Sequence, residues 1–262
     1  MTKQDETITA LNNCFSDYEG LLSDLSEEDW NVQSLCPDWD IRGVAVHLSG
    51  IENLLVEWMP SGPDEWPPFP KMGEFVELSS EWNPKELIEN TGKILNNRRA
   101  ELIGLDSNGW EAPCMSPVGP ANYGRFMNVR IFDLWVHHRD MTIPLGVETI
   151  DSGPHAEIAL DEVQASLGYI VGKKIGLPDG MSIAFRLRGA IERDMFVEID
   201  GRARVVENII DPSVEVTVDS TSFMMLACGR IPPQVEIDAG QISWSGNDEW
   251  GEKSARNLRF TM

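Results

Sequence analysis

Asp133 and His137 stand four residues apart in the run Ile131-Phe132-Asp133-Leu134-Trp135-Val136-His137. Four positions along an α-helix return to the same face, so this carboxylate and this imidazole would point at one spot. That is half of a metal site. The rest must come from elsewhere, and the other histidines are His47, His138 and His155. If His47 meets the pair, the set is two imidazoles and one carboxylate, the three-ligand pattern of a catalytic zinc with an open fourth position. The same set suits iron(II) with open positions. The plain alternative is a solvated surface pair worth roughly a few tenths of a kcal/mol, with His47 a hydrogen-bonded core residue. Val129, Ile131, Phe132, Leu134, Trp135 and Val136 argue against it, because they would bury most of the helix circumference. Buried ionisable groups must be paired or metal-bound.

Two helices have to position these residues. Asp40 is a plausible N-cap for a helix over Ile41 to Met59, with Val44, His47, Leu48, Ile51 and Leu55 on its inward stripe. The helix carrying Asp133 and His137 runs from about Asn122 to Ile143, and Pro144 and Gly146 mark its end. His138 would project about 100° around that helix from His137. Two further amphipathic helices are expected, one over Thr7 to Leu25 and one starting at Pro84 and reaching Leu102. Between them, Pro67, Pro68 and Pro70 rule out continuous helix through Pro60 to Asn83. Loops of that length are often functional covers.

After Asp151-Ser152-Gly153-Pro154 the pattern changes. A helix over His155 to Gly172 is followed by strand-like segments at Ser182 to Arg188, Asp194 to Ile199, Ala203 to Val206 and Val214 to Val218. Asp200-Gly201 reads as a hairpin turn. A helix over Asp219 to Cys228, one or two strands within Gln234 to Trp244, and a helix over Asp248 to Leu258 complete the reading. Helices first and strands later imply an α domain, 1–148, joined to an α+β domain, 149–262.

Composition narrows the function classes. A formal net charge of -22 disfavours nucleic acid and anionic membrane surfaces as partners, since both are polyanions. The N-terminus shows no basic segment followed by an apolar run, and no run approaches the roughly 18 apolar residues of a membrane span. Cys14, Cys36, Cys114 and Cys228 are scattered, with no CxxC pair, and read as small apolar residues in a reducing, cytoplasmic setting.

Four stretches resemble one family. Trp30-Asn-Val-Gln-Ser-Leu-Cys-Pro-Asp-Trp39-Asp-Ile-Arg-Gly-Val-Ala-Val-His47-Leu48 resembles the N-terminal signature of the mycothiol-dependent maleylpyruvate isomerases, within the DinB-like four-helix metalloproteins. Arg130-Ile-Phe-Asp133-Leu-Trp-Val-His137-His-Arg-Asp140 resembles that family's second metal motif, an acid four residues before a histidine with an Asp three beyond. Val216-Thr-Val-Asp219-Ser-Thr-Ser-Phe223-Met-Met-Leu226-Ala-Cys-Gly229-Arg230 and Gly240-Gln-Ile-Ser-Trp-Ser-Gly246-Asn-Asp248 are similar to its sterol-carrier-like second domain. Two departures stand out. The family carries a glutamate where this chain has Asp133, one methylene shorter, and the residue after His137 is a second imidazole, His138. The proline-rich stretch 60–83 matches no motif.

The resemblance implies a DinB-like four-helix metal domain followed by a small α+β domain, with His47, Asp133 and His137 holding a divalent metal, zinc by preference. It implies mycothiol or a similar thiol as cofactor, and Arg230 as a catalytic residue that grips a substrate carboxylate in bidentate fashion. Asp140 would orient His137. The expected activity is isomerisation or S-transfer on a small electrophile, by a monomer or homodimer. Two other classes share the residues: a thiol-independent metal hydrolase with water in the open position, and a non-enzymatic carrier of an apolar ligand.

Overall fold

Side-chain caps start the long helices. The computed structural model describes residues 2–260. Helix α1 (Lys3–Asp24) begins with a reciprocal capping box between Thr2 and Asp5. In α2 (Ile41–Leu55), the Asp40 carboxylate accepts the Gly43 amide at 2.7 Å. A 3-10 turn at Phe69–Lys71 leads into α3 (Met72–Ser80). Helix α4 (Pro84–Gly104) has Pro84 in its first turn and a capping box between Asn83 and Glu86. A single turn, α5 (Ser107–Trp110), and a hairpin of β1 (Pro113–Ser116) with β2 (Gly119–Asn122) then lead to α6 (Tyr123–Leu145), which Asn122 caps.

The chain divides into two units: Met1–Thr149 with Pro154–Ala159, and Ile150–Gly153 with Leu160–Met262. In the first, α1, α2, α4 and α6 form a four-helix bundle in which α1 and α2 each pack against both α4 and α6. Its core is built around Phe15, Leu22, Leu48, Leu95, Phe126 and Leu134. A polar thread crosses it, with the Tyr18 hydroxyl donating to the Ala45 carbonyl at 2.8 Å and Ser49 Oγ lying 2.7 Å from Thr91 Oγ1. The second unit follows α7 (Pro154–Ala165) with a short turn, α8 (Leu167–Tyr169), a π-helical turn (Ile170–Ile175) and a five-stranded sheet of order β5-β4-β3-β6-β7. Its strands are β3 (Ser182–Arg188), β4 (Arg193–Asp200), β5 (Arg202–Val206), β6 (Val214–Asp219) and β7 (Ile242–Gly246); β3 and β6 pair in parallel and the rest are antiparallel. Helices α9 (Ser220–Ala227), α10 (Pro233–Asp238) and α11 (Asp248–Arg256) complete it. Among the described residues no helix is long and apolar enough to cross a membrane.

A helical domain followed by an α+β part is the expected fold class, and several local expectations need correcting. Helix α2 stops at Leu55, not Met59, because the chain turns at Glu57 (φ 58), whose amide is accepted by Glu101 at 2.8 Å. The proline-rich stretch contains α3, since every proline in it precedes Met72. Within Gln234 to Trp244 the first half is α10, opened by Pro233, and only the second is a strand. The helix expected over His155 to Gly172 breaks up near Gly168 and Gly172, which press against Ala203; a Cβ on Gly172 would sit 3.0 Å from the Ala203 Cβ.

Helix α3 lies on α2 at Gly50, where a Cβ would fall 2.7 Å from Met72 Sδ and 2.8 Å from Phe75 Cδ1. Gly50→Ala is therefore expected to destabilise the protein by about 1–3 kcal/mol through overpacking, despite alanine's better helix propensity. Urea unfolding of the variant checks this; a stabilised G50A would contradict the packing.

Candidate metal centre

His47 projects from the second turn of α2, and Asp133 and His137 lie one turn apart on α6. The structure brings them together. His47 Nε2 is 3.5 Å from Asp133 Oδ2, and His137 Nε2 is 3.6 Å from Asp133 Oδ1. One donor atom from each residue falls within 4.8 Å of the others. A tetrahedral zinc with bonds of about 2.0–2.1 Å has ligand-to-ligand edges of roughly 3.4 Å. His47 Nε2 is shielded from solvent and has no hydrogen-bond partner, a costly arrangement unless something else satisfies it. The donor set and its spacing fit a divalent cation.

Further groups hold the ligands. Asp140, fully buried, accepts from His137 Nδ1 at 2.8 Å and from the Cys36 thiol at 3.1 Å. That leaves His137 Nε2 as the nitrogen facing the cluster. His138 belongs to neither cluster of candidate ligands among the described residues, so helical geometry selects His137. Cys36, His137 and Asp140 form the second such cluster. Arg130, one turn before Asp133, donates from Nη1 to Asp133 Oδ2 at 2.6 Å and from Nε to Glu52 Oε1 at 2.9 Å. Glu52 also accepts from Arg98 Nε at 3.1 Å, and Arg98 Nη2 donates to the Tyr123 hydroxyl at 3.0 Å. The carboxylate is thus tied through Arg130 to a buried ionic network running between α2, α4 and α6.

Electrostatics follow from this packing. Burial disfavours the charge on Asp133, but Arg130, His137 and His47 override it and hold the carboxyl well below its ordinary value. Burial likewise disfavours a charged His137, yet the Asp133 charge and the Asp140 hydrogen bond raise its pKa to about 10. Without a cation, a proton on His137 is what balances the cluster. The Trp39 indole covers the outer side, with its ring centroid 5.0 Å from that of His47 and 6.1 Å from that of His137.

Arg230 belongs to the second unit. It follows α9, donates from Nη1 to the Cys228 carbonyl at 3.3 Å, and lines a cavity of about 350 Å³ together with Arg256 and Arg259. Sequence reasoning overlooked Cys36, Glu52 and Arg98 as parts of the setting. A signal existed for two of them: Glu52 falls four residues after Leu48 on the apolar stripe of α2, and Arg98 three after Leu95 on that of α4.

A family model described as the mycothiol maleylpyruvate isomerase N-terminal domain matches residues 12–142, half of the chain and the whole span from His47 to Asp140. This chain belongs to that family. Mycothiol maleylpyruvate isomerase-like architecture also extends beyond the matched domain. A crystal structure of the mycothiol-dependent maleylpyruvate isomerase aligns over 92% of this chain and 92% of its own, with a TM-score of 0.63 and 16% identity. A histidine-to-alanine mutant of that enzyme aligns over the same shares, with a TM-score of 0.61 and 15% identity. At such identity the likeness is one of fold. Sterol carrier protein 2 from Yarrowia lipolytica aligns with 38% of this chain and 91% of its own, with a TM-score of 0.29 and 15% identity. No curated protein matches the sequence.

Proposed function

We propose that this chain is a metal-dependent enzyme working with a low-molecular-weight thiol, mycothiol or a close relative, as an isomerase or S-transferase on a small electrophile that carries a carboxylate. The observation that carries the reading is the convergence of His47, Asp133 and His137 around a shielded, unpartnered Nε2. Family membership and the shared fold of the mycothiol-dependent isomerase support the choice of thiol.

With a cation bound, His47 and His137 would each offer an Nε2 lone pair and Asp133 one carboxylate oxygen, a set that zinc accepts while keeping a position open. A divalent cation there supplies positive charge that lowers the pKa of a thiol beside it, so that the reactive thiolate exists near neutral pH. Asp140 keeps the His137 proton on Nδ1. Arg130 keeps Asp133 ionised and fixes its rotamer. Trp39 and the bundle core limit water on two sides. In the second unit, Arg230 is suited to a bidentate grip on a substrate carboxylate, in a cavity that Arg256 and Arg259 also line.

The test is elemental analysis of the purified protein combined with a turnover assay on maleylpyruvate and on thiol-reactive electrophiles, with and without added thiol. About one divalent ion per chain and a strict thiol requirement are expected. Protein that carries no stoichiometric metal would sink the reading, and turnover independent of thiol would favour the hydrolase.

A further inference from the structure

The two histidines of the cluster are oriented by different means. His137 is set by a buried carboxylate, Asp140, at its Nδ1. His47 has no such anchor among the described residues: its Nε2 makes no close hydrogen bond, and Asp133 Oδ2 lies 3.5 Å away. What lies against the His47 ring is the indole of Trp39, at 5.0 Å between centroids and 31° between planes. The imidazole of His137 meets the same ring edge-on, 4.8 Å away at 64°. His47 is therefore wedged between an indole and a fixed imidazole.

The backbone under Trp39 is held more firmly than a loop ordinarily is. Its carbonyl accepts three hydrogen bonds, from Ser34 Oγ at 2.6 Å, Gln33 Nε2 at 2.8 Å and the Ser34 amide at 3.2 Å. Its own amide donates to the Cys36 carbonyl at 3.1 Å, and the bridge between Gln33 and Asp40 closes the loop. The indole then crosses the first turn of α2 directly over Gly43, where a Cβ would fall 3.0 Å from Trp39 Cβ and 3.2 Å from its Cγ. Gly43 and His47 are one helical turn apart on the same face, so the glycine clears the lane by which the indole reaches the imidazole. Yet Trp39 remains 37% exposed. A large aromatic ring that is tied down by its backbone but not buried is poorly explained by core packing alone.

We infer that Trp39 is the positioning residue for His47, doing by ring contact what Asp140 does for His137 by hydrogen bonding. The inference rests on the metal-binding reading above. An imidazole bound to a cation is electron-poor, and the face of an indole is the electron-rich surface that favours it. The ring also limits rotation of His47 about its terminal torsion, which is otherwise broad, so less freedom is lost when the ligand set closes.

The test uses the full chain with Zn2+ as probe, its affinity read by chelator competition, and with Co2+ as a spectroscopic substitute. Trp39→Ala is expected to weaken Zn2+ binding about 10- to 100-fold, the range typical for groups that orient a metal-bound histidine, and to alter the Co2+ ligand-field bands. Trp39→Phe, which keeps an aromatic face, should stay within about threefold of the parent protein. Gly43→Ala pushes on the indole from below; it should weaken Zn2+ binding in the parent protein and do so less in the Trp39→Ala background, where the ring and its Cγ contact are gone and only the Cβ contact remains. In the metal-free protein, NMR should show the His47 ring losing its shifted resonances in Trp39→Ala while those of His137 persist. Zn2+ affinity equal in the parent and Trp39→Ala, or Gly43→Ala acting equally in both backgrounds, would overturn the inference. A parent protein that binds no Zn2+ would overturn the metal reading and this inference with it, whereas binding abolished by His47→Ala but untouched by Trp39→Ala would overturn this inference alone.

Discussion

His137→Ala should abolish stoichiometric metal binding and reduce thiol-dependent turnover to background. The reason is geometric: His137 supplies one of three converging atoms, and its removal leaves only Asp133 and His47, 3.5 Å apart on two helices, one ligand short of the set. The histidine at 138 cannot replace it, since it projects elsewhere and joins no candidate ligand cluster among the described residues. His47→Ala should act the same way, and Asp140→Asn should fall between, losing about 10- to 100-fold in metal affinity. Elemental analysis and chelator competition on each variant are the measurement, and His137→Ala with full metal content would refute the assignment. The pH dependence has a definite sign. In the metal-free protein His137 has a pKa of about 10, raised by Asp133 and Asp140 against the effect of burial. A cation must therefore displace a proton, and its affinity should rise about tenfold per pH unit from neutral toward pH 10. The same raised pKa stabilises the metal-free fold; that contribution is fully present below the ordinary histidine value and is lost as the pH rises through about 10. A saturating cation reverses the trend, adding about 2.7 kcal/mol when free metal is 100 times its Kd.

Removing Glu52 should be the most destabilising single change in the bundle. Glu52 is fully buried on α2 and accepts from Arg98 and Arg130, which are themselves only 1% and 4% exposed. Taking away the carboxylate leaves two guanidiniums in the core with reduced compensation, a loss of about 3–5 kcal/mol. Glu52→Gln keeps the shape but not the charge and should cost nearly as much, which distinguishes an electrostatic role from a packing one. Thermal unfolding should show a fall of roughly 10 °C or more. The effect should reach the metal, because Arg130, freed on one side, can shift its hold on Asp133. A Glu52→Gln protein as stable as its parent would show that the network is not under strain from burial. A double-mutant cycle with Arg98→Met would measure the coupling directly.

How much of this was readable in advance depended on distance along the chain. The bundle helices were legible because their periodicity and caps are local: Asp40, Asn83 and Asn122 each cap the helix that follows. The hairpin at Asp200-Gly201 was equally local, with Gly201 at φ 66 between β4 and β5. The helix inside 60–83 was hidden because five prolines dominate the first half of that stretch, whereas Met72 to Ser80 owes its place to packing on Gly50. The β1–β2 hairpin gave little signal, since Pro113 and Pro120 are poor strand residues.

The sequence by itself determined that Asp133 and His137 share a helical face, since a rise of about 1.5 Å per residue and about 3.6 residues per turn require it. It also determined that a histidine lies on the stripe of a neighbouring helix, and it carried the family's motifs. Only the tertiary structure decided that α2 and α6 pack so that His47 Nε2 comes within 3.5 Å of Asp133. It likewise decided that Glu52, Arg98 and Arg130 meet in the core and that Trp39 lies on His47. Those contacts join residues from 8 to 86 positions apart, and no local rule fixes them. They depend on the rotation of each helix about its own axis, which is set by how side chains from all four helices fill one core.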